Sequence, residues 1–375
     1  MLGKSYYDEV NPTQLFVDLD AISRNLSRLR DAGGGRELIV AVKADAYGHG
    51  LVAVAKHIES KVAFFGVATV SEALLLREAG IEKPILKLSP TLPDELADAV
   101  RARLTLTVSS REDVAAAAAA AQEATTTIPV HLKIDTGMRR VGVLPTEAAG
   151  LARQIVDAEG LEFDGVFTHL AVADDEAEQD FTRQQFASFL EAAEAVQCEA
   201  GPVKWIHAAN SAGILNLDLT GTNAIRPGIA MYGSSPDWNS VGLELEQTAR
   251  WTSRITLVKR VASGDSVSYG RTWTAKHDTQ IATVAVGYGD GYSRRNSNRG
   301  RVLIDGRSYP VVGRVCMDQI LVDLGPDSDI RAGAEVVLIG ASGEQRITPQ
   351  ELADVMETIS YEVTCLITGR VPRVY

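Results

Sequence analysis

Long apolar runs and export signals are missing from this sequence of 375 residues. No uninterrupted hydrophobic stretch approaches the roughly 20 residues that a membrane-spanning helix needs, which argues against a membrane protein. The opening segment MLGKSYYDEVNPTQ contains charges and a proline but no apolar core followed by small residues, so it does not support a secretory signal. We therefore expect a cytoplasmic location.

Cysteine is also scarce. The chain has only Cys198, Cys316 and Cys365, an odd number at wide spacing and without a CxxC pair. This spacing argues against a disulfide framework and against a zinc site. We expect three reduced thiols and no metal.

Positive charge is in deficit, because the formal net charge is −12. Such a surface repels nucleic acid and anionic lipid. The one basic cluster lies among Ser, Asn and Gly and has no interleaved aromatic platform, so a solvated loop is favoured over a phosphate-binding surface. It consists of Arg294, Arg295, Arg299 and Arg301. We expect no nucleic-acid partner and no membrane partner.

Short apolar runs alternate with segments of helical period from Phe16 to about Arg226. Helices are predicted at Val70–Ala79, opened by Ser71, and over the alanine-rich stretch Val114–Ala121; one apolar helical face runs from Phe181 to Val196. The predicted strands are FVDLD, LIVAVKAD, FFGVAT, ILKLS, LTLTV, PVHLKID, FDGVFTHL, KWIHAAN and NAIRPG.

Eight or nine such units favour a parallel (β/α)8 barrel, the TIM-type α/β fold. An open doubly wound sheet is the alternative, but no GxGxxG follows the first strand. After about Gln247 the pattern changes to short strands separated by turns, with Asp305-Gly306 as a hairpin signal. We expect a barrel over residues 13–246 and a mainly β domain over residues 247–375, with residues 1–12 packed against the latter.

Polar residues cluster at the predicted strand ends, where barrel enzymes keep their reactive groups. Lys43 ends the apolar run LIVAV, where it is either an amine nucleophile for a carbonyl compound or one half of a structural ion pair. Tyr47 either donates its hydroxyl to an anion or simply packs. The strand-end set is Lys43, Lys133, Asp135, His169, Asn210, Ser211 and Arg226.

Small residues suited to a phosphate follow two late strands, in Ser211–Gly213 and in Arg226–Ile229. A phosphate site beside an amine that reacts with carbonyl compounds suggests pyridoxal phosphate as cofactor.

A series of motifs now resembles those of the bacterial alanine racemases, nearly end to end and in the family's order. They are AVKADAYGHG, LKIDTGMRRVG, THLAVAD, HAANSAG, IRPGIAMYG, VSYGRTW, VAVGYGDGY, GRVCMDQ and ISYEVTC. The resemblance implies a pyridoxal-phosphate barrel followed by a β domain. It also implies interconversion of L- and D-alanine by two bases, with D-alanine supplied to cell-wall peptidoglycan.

By this resemblance, Lys43 holds the cofactor as an imine and is one acid/base group, and Tyr269 is the other. Without the resemblance, Tyr269 reads as an ordinary strand aromatic. Arg226 faces the pyridine nitrogen; as a permanent cation it makes the ring a weaker electron sink and favours reprotonation at Cα over transamination. The implied cofactor-binding set is Lys43, Tyr47, His169, Asn210, Ser211, Arg226, Gly228, Ile229 and Tyr361.

The resemblance further implies that Arg140 binds the substrate carboxylate, beside Lys133 as a possible carbamylated lysine. A homodimer with shared active sites is expected, in which the partner chain supplies the substrate-binding residues Met317, Asp318 and Tyr288. One departure is Arg139, where the family often has glycine; either the loop differs or the side chain points to solvent.

Three rival functions stay open. A related barrel enzyme that decarboxylates basic amino acids is disfavoured by Arg226, since those enzymes usually approach the pyridine nitrogen with a carboxylate. A non-catalytic pyridoxal-phosphate binding protein is disfavoured by the β domain. A racemase for serine or for many amino acids keeps the same fold, and an apolar pocket discriminates a hydroxyl by only about 1 to 3 kcal/mol.

Overall fold

The structure is a computed structural model that describes residues 11–233 and 243–375. Its chain forms two compact units. The barrel unit comprises Ser23–Ala46 and Leu51–Met231; the sheet unit comprises the described residues up to Ile22, Tyr47–Gly50, and those from Tyr232 onward. In chain order the strands are β1 Gln14–Val17, β2 Glu37–Ala41, β3 Phe64–Val67, β4 Ile85–Lys87, β5 Leu104–Val108, β6 Ile128–Lys133, β7 Leu161–Phe167, β8 Trp205–His207, β9 Ala224–Ile225, β10 Ala249–Val261, β11 Ser266–Val267, β12 Trp273–Thr274, β13 Thr279–Val284, β14 Arg301–Ile304, β15 Arg307–Pro310, β16 Ile320–Gly325, β17 Glu335–Ser342, β18 Gln345–Ile347 and β19 Arg373–Val374.

Helices connect most of the barrel strands. The α-helices are α1 Leu19–Ala32, α2 Leu51–Ile58, α3 Val70–Glu78, α4 Leu96–Arg101, α5 Arg111–Glu123, α6 Ala148–Asp157, α7 Gln179–Ala200, α8 Ser211–Asn216, α9 Pro349–Met356 and α10 Ser360–Cys365. Short 3-10 turns lie at Glu59–Lys61, Pro93–Glu95, Pro145–Glu147, Glu176–Glu178, Ile229–Tyr232, Tyr269–Arg271 and Arg294–Asn296.

Strands β2 to β9 close into a parallel barrel, with each strand paired to the next in the chain and β9 paired back to β2. These strands are apolar runs because both of their faces are covered; all five residues of β5, for example, are buried. The predicted (β/α)8 barrel is confirmed, and the open-sheet alternative is wrong.

The strand predicted from FVDLD does not belong to the barrel. It forms β1, which pairs antiparallel with β10 and parallel with β19 in the sheet unit. Its side chains alternate between intermediate and buried, as in a strand with only one covered face. The other eight predicted strands all fall in the barrel. The domain boundaries 13–246 and 247–375 stay a prediction, and residues 1–10 lie outside the described residues.

The predicted helices are found, but the cap of α3 differs, and α5 begins three residues before and ends two residues after the predicted Val114–Ala121. Helix α3 begins after Thr69 rather than at Ser71, because the Thr69 hydroxyl accepts from the Glu72 amide and Glu72 reaches back to the Thr69 amide. The alanine-rich helix α5 spans Arg111–Glu123, as its propensity predicted. On α7, Phe186, Phe189, Ala193 and Val196 are buried, whereas Phe181 is 38% exposed.

The sheet unit is built around the long strand β10, which pairs with β1, β13 and β17. Its main strand order is β15-β14-β17-β10-β1-β19, and β13 connects it to β16. The predicted hairpin joins β14 to β15 through Asp305 (φ 48°) and Gly306 (φ 76°), both in the left-handed region that a two-residue hairpin turn requires. The mainly β character predicted for this part of the chain is confirmed.

Three of the four arginines in the basic cluster pair with carboxylates. Arg295 and Arg299 both contact Glu357, at 2.7 and 3.0 Å, and Arg301 pairs with Glu351. No disulfide joins the three cysteines, all of which lie within the described residues. Within residues 11–233 and 243–375, no helix is long and apolar enough to cross a membrane.

One added methyl group is expected to have opposite effects at two glycines. Gly306→Ala places a side chain at φ 76° and lowers the free energy of unfolding by about 1 kcal/mol. Gly150→Ala, in the exposed surface of α6 with open space around it, raises that free energy by about 0.5 to 1 kcal/mol. Chemical unfolding of the two variants measures both signs. Destabilisation by both would contradict the assigned backbone conformations.

Candidate active site

A cavity of about 150 Å³ lies in the barrel unit at the carboxyl ends of the strands. Four of the predicted site residues line it: Lys43, Lys133, Arg140 and His169. Ala68, Leu88, Ser89, Met138 and Val141 complete its wall. The barrel therefore brings together an amine, a second lysine, a guanidinium and an imidazole that follow three strands: Lys43 comes after β2, Lys133 and Arg140 belong to the end of β6 and its loop, and His169 comes after β7.

Lys43 begins a turn with left-handed backbone. Four consecutive residues that are not glycine, Ala44 to Tyr47, have φ between 52° and 54°. Left-handed helical backbone costs an L-residue about 1 to 2 kcal/mol, so this segment is strained. Its amides are held by the Glu72 carboxylate, which accepts from Ala44 at 2.6 Å, and by Val42, whose carbonyl accepts from Ala46 at 2.8 Å.

Lys133 ends β6 and is 5% exposed. Its Nζ lies 4.9 Å from the centre of the Phe167 ring. Burial and then the nearby charge of Arg226 lower the pKa of Lys133 well below its ordinary value, against the opposing effect of Asp135. The neutral, nucleophilic form of the amine is therefore favoured more than in an ordinary lysine.

Arg226 is buried at the end of β9 and has four of its five N–H groups occupied. Nη1 donates to His207 Nδ1 at 2.9 Å and to the His207 carbonyl at 3.1 Å, and Nη2 donates to the carbonyls of Thr168 at 2.6 Å and Ala208 at 2.8 Å. Within the described residues no acceptor lies within hydrogen-bond distance of Nε–H, the fifth donor. Burial lowers the pKa of Arg226 to about 9, so the group stays charged at neutral pH.

His169 lies beside this guanidinium, with Nδ1 at 3.4 Å from Nη2 of Arg226. Burial, then the charges of Arg226 and Lys133, lower the pKa of His169 well below its ordinary value. The imidazole is therefore neutral around pH 7. It can accept or donate a hydrogen bond at the cavity wall without adding a charge.

The predicted phosphate-binding residues of the barrel unit meet at one hydroxyl. Ser211 Oγ accepts from the amides of Gly228 at 3.0 Å and Ala230 at 3.2 Å, which leaves the hydroxyl hydrogen to donate elsewhere. Ile229 is buried between these two amides. Asn210 caps α8 by accepting from the Gly213 amide at 3.0 Å. The amide of Gly228 is thus engaged by Ser211.

Tyr47 and Tyr361 come together in the sheet unit, with ring centres 6.2 Å apart. Burial, together with the neighbouring Tyr361, raises the pKa of Tyr47, so its phenol stays protonated and can donate a hydrogen bond. The ring of Tyr47 also lies 5.1 Å from that of Tyr232.

The remaining predicted residues of the sheet unit lie on loops at its surface. Tyr269 is 70% exposed, Met317 53% and Tyr288 43%. The Tyr288 amide donates to the carbonyl of Cys316, one residue before Met317, at 3.0 Å, and Asp318 pairs with Arg370 at 2.9 Å. In one protomer, the side chains of Tyr269, Met317 and Tyr288 are thus exposed to solvent.

Several residues that shape the site were missed from the sequence. His207 accepts a hydrogen bond from Arg226, and Glu72 accepts one from the amide of Ala44 in the turn that Lys43 begins. Gln185 on α7 accepts from the Ala171 amide at 2.9 Å and contacts the carbonyl of His169. His207 could have been noticed as a polar residue inside a buried strand. Glu72 and Gln185 gave no local signal, because they act on segments distant in the chain.

Two family models match the chain: "Alanine racemase, N-terminal domain" over residues 17–236 and "Alanine racemase, C-terminal domain" over residues 248–375. A curated relative, the alanine racemase of Cutibacterium acnes, is 44% identical and covers 97% of both chains. The crystal structure of alanine racemase from Streptomyces lavendulae superposes with a TM-score of 0.90 at 35% identity, covering 97% of both chains. The Bacillus anthracis alanine racemase with bound L-Ala-P superposes with a TM-score of 0.90 at 37% identity, covering 97% of this chain and 95% of that one.

Arg139, the departure from the family pattern, is exposed and has φ 57°. The side chain therefore points to solvent, and the left-handed backbone explains why glycine suits this position. We expect Arg139→Gly to raise the free energy of unfolding by about 0.5 to 1 kcal/mol, since relief of strain exceeds the entropic cost of glycine. Chemical unfolding measures this. Arg153→Gly, in the surface of helix α6, is the matched control and must destabilise.

Proposed function

Since this chain belongs to the alanine racemase family over both of the domains that define it, we propose that Lys43 and Tyr269 are the two acid/base groups with which it interconverts L- and D-alanine. The chain is a racemase, and the family's standard role for D-alanine is peptidoglycan synthesis. The observation that supports the assignment most directly is the convergence of Lys43, Lys133, Arg140 and His169 on one cavity.

The family uses pyridoxal phosphate, and the residues present fit it. Lys43 offers the amine at the cavity wall, Arg226 has a single N–H group, Nε–H, without an acceptor among the described residues, and Ser211 has a hydroxyl hydrogen to donate to a phosphate. When bound, the cofactor supplies an electron-withdrawing ring conjugated to the Cα of the substrate.

Arg226 limits how strongly that ring withdraws electrons. A guanidinium with a pKa of about 9 in this site remains a cation, and it presents only N–H donors. Nε–H can donate a hydrogen bond to an unprotonated ring nitrogen. It does not stabilise a protonated ring nitrogen, whereas a carboxylate partner does, because a carboxylate accepts the hydrogen bond of the ring N–H. A racemase gains from this, because a weaker electron sink favours prompt return of the proton to Cα.

Racemisation needs one group to take the Cα proton from one face and another to return a proton on the opposite face. We assign these tasks to Lys43 and Tyr269. The amine of Lys43 is positioned by the strained turn that it begins, so its backbone is fixed before substrate arrives. A decarboxylase is disfavoured because Arg226, rather than a carboxylate, is available to the ring nitrogen.

The two acid/base groups are tested by racemisation of purified protein with pyridoxal phosphate, from each enantiomer of alanine in deuterated water. We expect racemisation and Cα exchange from both, abolished in Lys43→Ala and slowed at least a hundredfold in Tyr269→Phe, because each removes one acid/base group. Tyr309→Phe, a tyrosine on strand β15, is the matched control. Carbon dioxide release from a basic amino acid without racemisation would overturn the assignment.

Shared active sites in a homodimer fit the exposure of Tyr269, Tyr288 and Met317, since large apolar side chains in solvent commonly mark an interface. In the proposed arrangement each site takes Lys43 from one protomer and Tyr269 from its partner. Met317, Asp318 and Tyr288 then approach the substrate from that same partner. The cytoplasmic location stays a prediction.

Mixing two inactive variants tests the shared sites. When Lys43→Ala and Tyr269→Phe chains are co-expressed in equal amounts, half of the dimers are mixed, and each mixed dimer has one intact site. We therefore expect about one quarter of wild-type activity from the mixture. Each variant purified alone is the control. Activity no greater than the mean of the two variants would show that Lys43 and Tyr269 act within one chain.

Carbamylation of Lys133 is proposed as well. The neutral amine adds to carbon dioxide: an N–C bond forms, one C=O π bond breaks, one proton is released to solvent, and the neutral amine becomes a carbamate anion that can accept from Arg140. The lowered pKa of Lys133 supports this, because a larger fraction of the amine is neutral than in an ordinary lysine at the same pH.

Carbamylation is expected in bicarbonate near neutral pH and is reversed by acid, which protonates the amine. A crystal structure grown with bicarbonate, or carbon NMR with labelled bicarbonate, should show the carbamate on Lys133. Lys133→Ala should lose the labelled signal, and Lys204→Ala, at an exposed lysine, should keep it. A bare amine at Lys133 under these conditions would remove the proposal.

A further inference from the structure

A chain of buried polar groups runs through the barrel core away from the cavity that holds Lys43. It starts at Arg226, whose Nη1 lies 2.9 Å from His207 Nδ1. His207 Nε2 lies 3.0 Å from His131 Nδ1, and His131 Nε2 lies 3.4 Å from Asp164 Oδ2. Both imidazoles are completely buried. Four side chains thus connect β9, β8, β6 and β7 in one line.

The groups at the two ends of this row of side chains, Arg226 and Asp164, determine which atom donates in each of its hydrogen bonds. A guanidinium can only donate, so His207 Nδ1 must accept and carries no hydrogen. A carboxylate can only accept, so His131 Nε2 must carry the hydrogen that reaches Asp164. His207 Nε2–H then donates to His131 Nδ1. Both histidines are thereby assigned the same neutral form, with the hydrogen on Nε2.

If either imidazole gained a second proton, two N–H groups would point at each other with no acceptor between them. A second hydrogen on His207 would face Arg226, and one on His131 would face His207. Burial likewise lowers the pKa of both histidines, and the charge of Arg226 acts in the same direction. The other charged groups that act on the two rings are Lys133, Lys204 and Asp164; Asp164 alone favours a charged His131.

The rings cannot turn to relieve a mismatch. His207 stacks on Phe167, with ring centres 4.9 Å apart and planes inclined by 3°, and Phe64 lies 5.6 Å from the centre of His131. Gly165 allows β7 to approach His131, because a Cβ there would lie 2.9 Å from Cε1 and Nε2 of the ring. Packing therefore keeps the ring nitrogens of His207 and His131 in the positions that these hydrogen bonds require.

Asp164 meets a different environment at the far end. It borders a cavity of about 280 Å³ whose wall includes Glu162 and Lys204, and the Lys204 amine lies 3.9 Å from Asp164 Oδ1. The carboxylate thus has one oxygen near His131 and the other near the Lys204 amine.

We propose that His131 and Asp164 are positioning residues for the racemase reaction: they fix the hydrogen of His207 on Nε2, so that His207 holds Arg226 with its Nε–H directed to the cofactor. Neither residue touches the reacting atoms. The catalytic part of this inference rests on the proposed roles of Arg226 and the cofactor. The assignment of the imidazole hydrogens does not.

The first test is nitrogen NMR of protein labelled at its six histidines, as the complete enzyme and without cofactor. Signals assigned with His131→Gln and His207→Gln variants should show both rings neutral, with hydrogen on Nε2, from about pH 6 to pH 8. A charged ring, or hydrogen on Nδ1 of either residue, would overturn the proposal. This outcome does not depend on racemase activity, so it separates the proposal from the proposed function.

The second test uses Asp164→Asn, which keeps the shape but replaces an obligatory acceptor by an amide that can also donate. We expect about a tenfold loss of kcat with KM nearly unchanged, and a shifted absorption spectrum of the bound cofactor, as positioning partners typically give. Glu162 borders the same cavity but makes none of the hydrogen bonds from Arg226 to Asp164. Glu162→Gln is therefore the matched control and should leave kcat and the spectrum unchanged. Equal behaviour of the two variants would overturn the proposal. If Asp164→Asn does not fold, the NMR result on the unmodified protein decides.

Discussion

A single buried guanidinium ties the carboxyl ends of three barrel strands together. Arg226 follows β9, and its N–H groups are accepted by Thr168 after β7 and by His207 and Ala208 at the end of β8. A buried charge is tolerated only when its donors are satisfied, so the loops that carry Thr168 and Ala208 must adopt these positions. His169, which follows Thr168 directly, is positioned at the cavity as a result.

The backbone around Lys43 is positioned differently, by hydrogen bonds that keep a strained turn in place. The left-handed turn after Lys43 is unfavourable for each of its residues, and it persists because Glu72 and Val42 accept its amides. Strained backbone of this kind is expected where a reactive group must be held before its ligand arrives. The amine and the guanidinium are thus fixed by two different physical means, and both act before substrate binds.

The sequence was sufficient for the barrel because its short, mostly apolar runs alternate regularly with helical segments, and eight of the nine predicted runs are barrel strands. It misplaced β1, since a short apolar run does not reveal whether one face or two will be covered. Lys43, Lys133 and Arg226 could be predicted because polar residues at strand ends are conspicuous. His131 and Asp164 could not, because a polar side chain inside a strand reveals its partner only when the strands are placed side by side. Nor does local sequence show that Ala44 and Asp45 adopt left-handed backbone.

In the proposed function, Arg226 presents one N–H, on Nε, to a cofactor ring nitrogen that stays unprotonated. The nitrogen NMR signal of pyridoxal phosphate labelled at its ring nitrogen and bound to the protein tests this directly. We expect the signal of a neutral pyridine nitrogen that accepts a hydrogen bond, unchanged from about pH 6 to pH 8 and displaced in Arg226→Gln. The signal of a protonated pyridinium in the unmodified protein would contradict it.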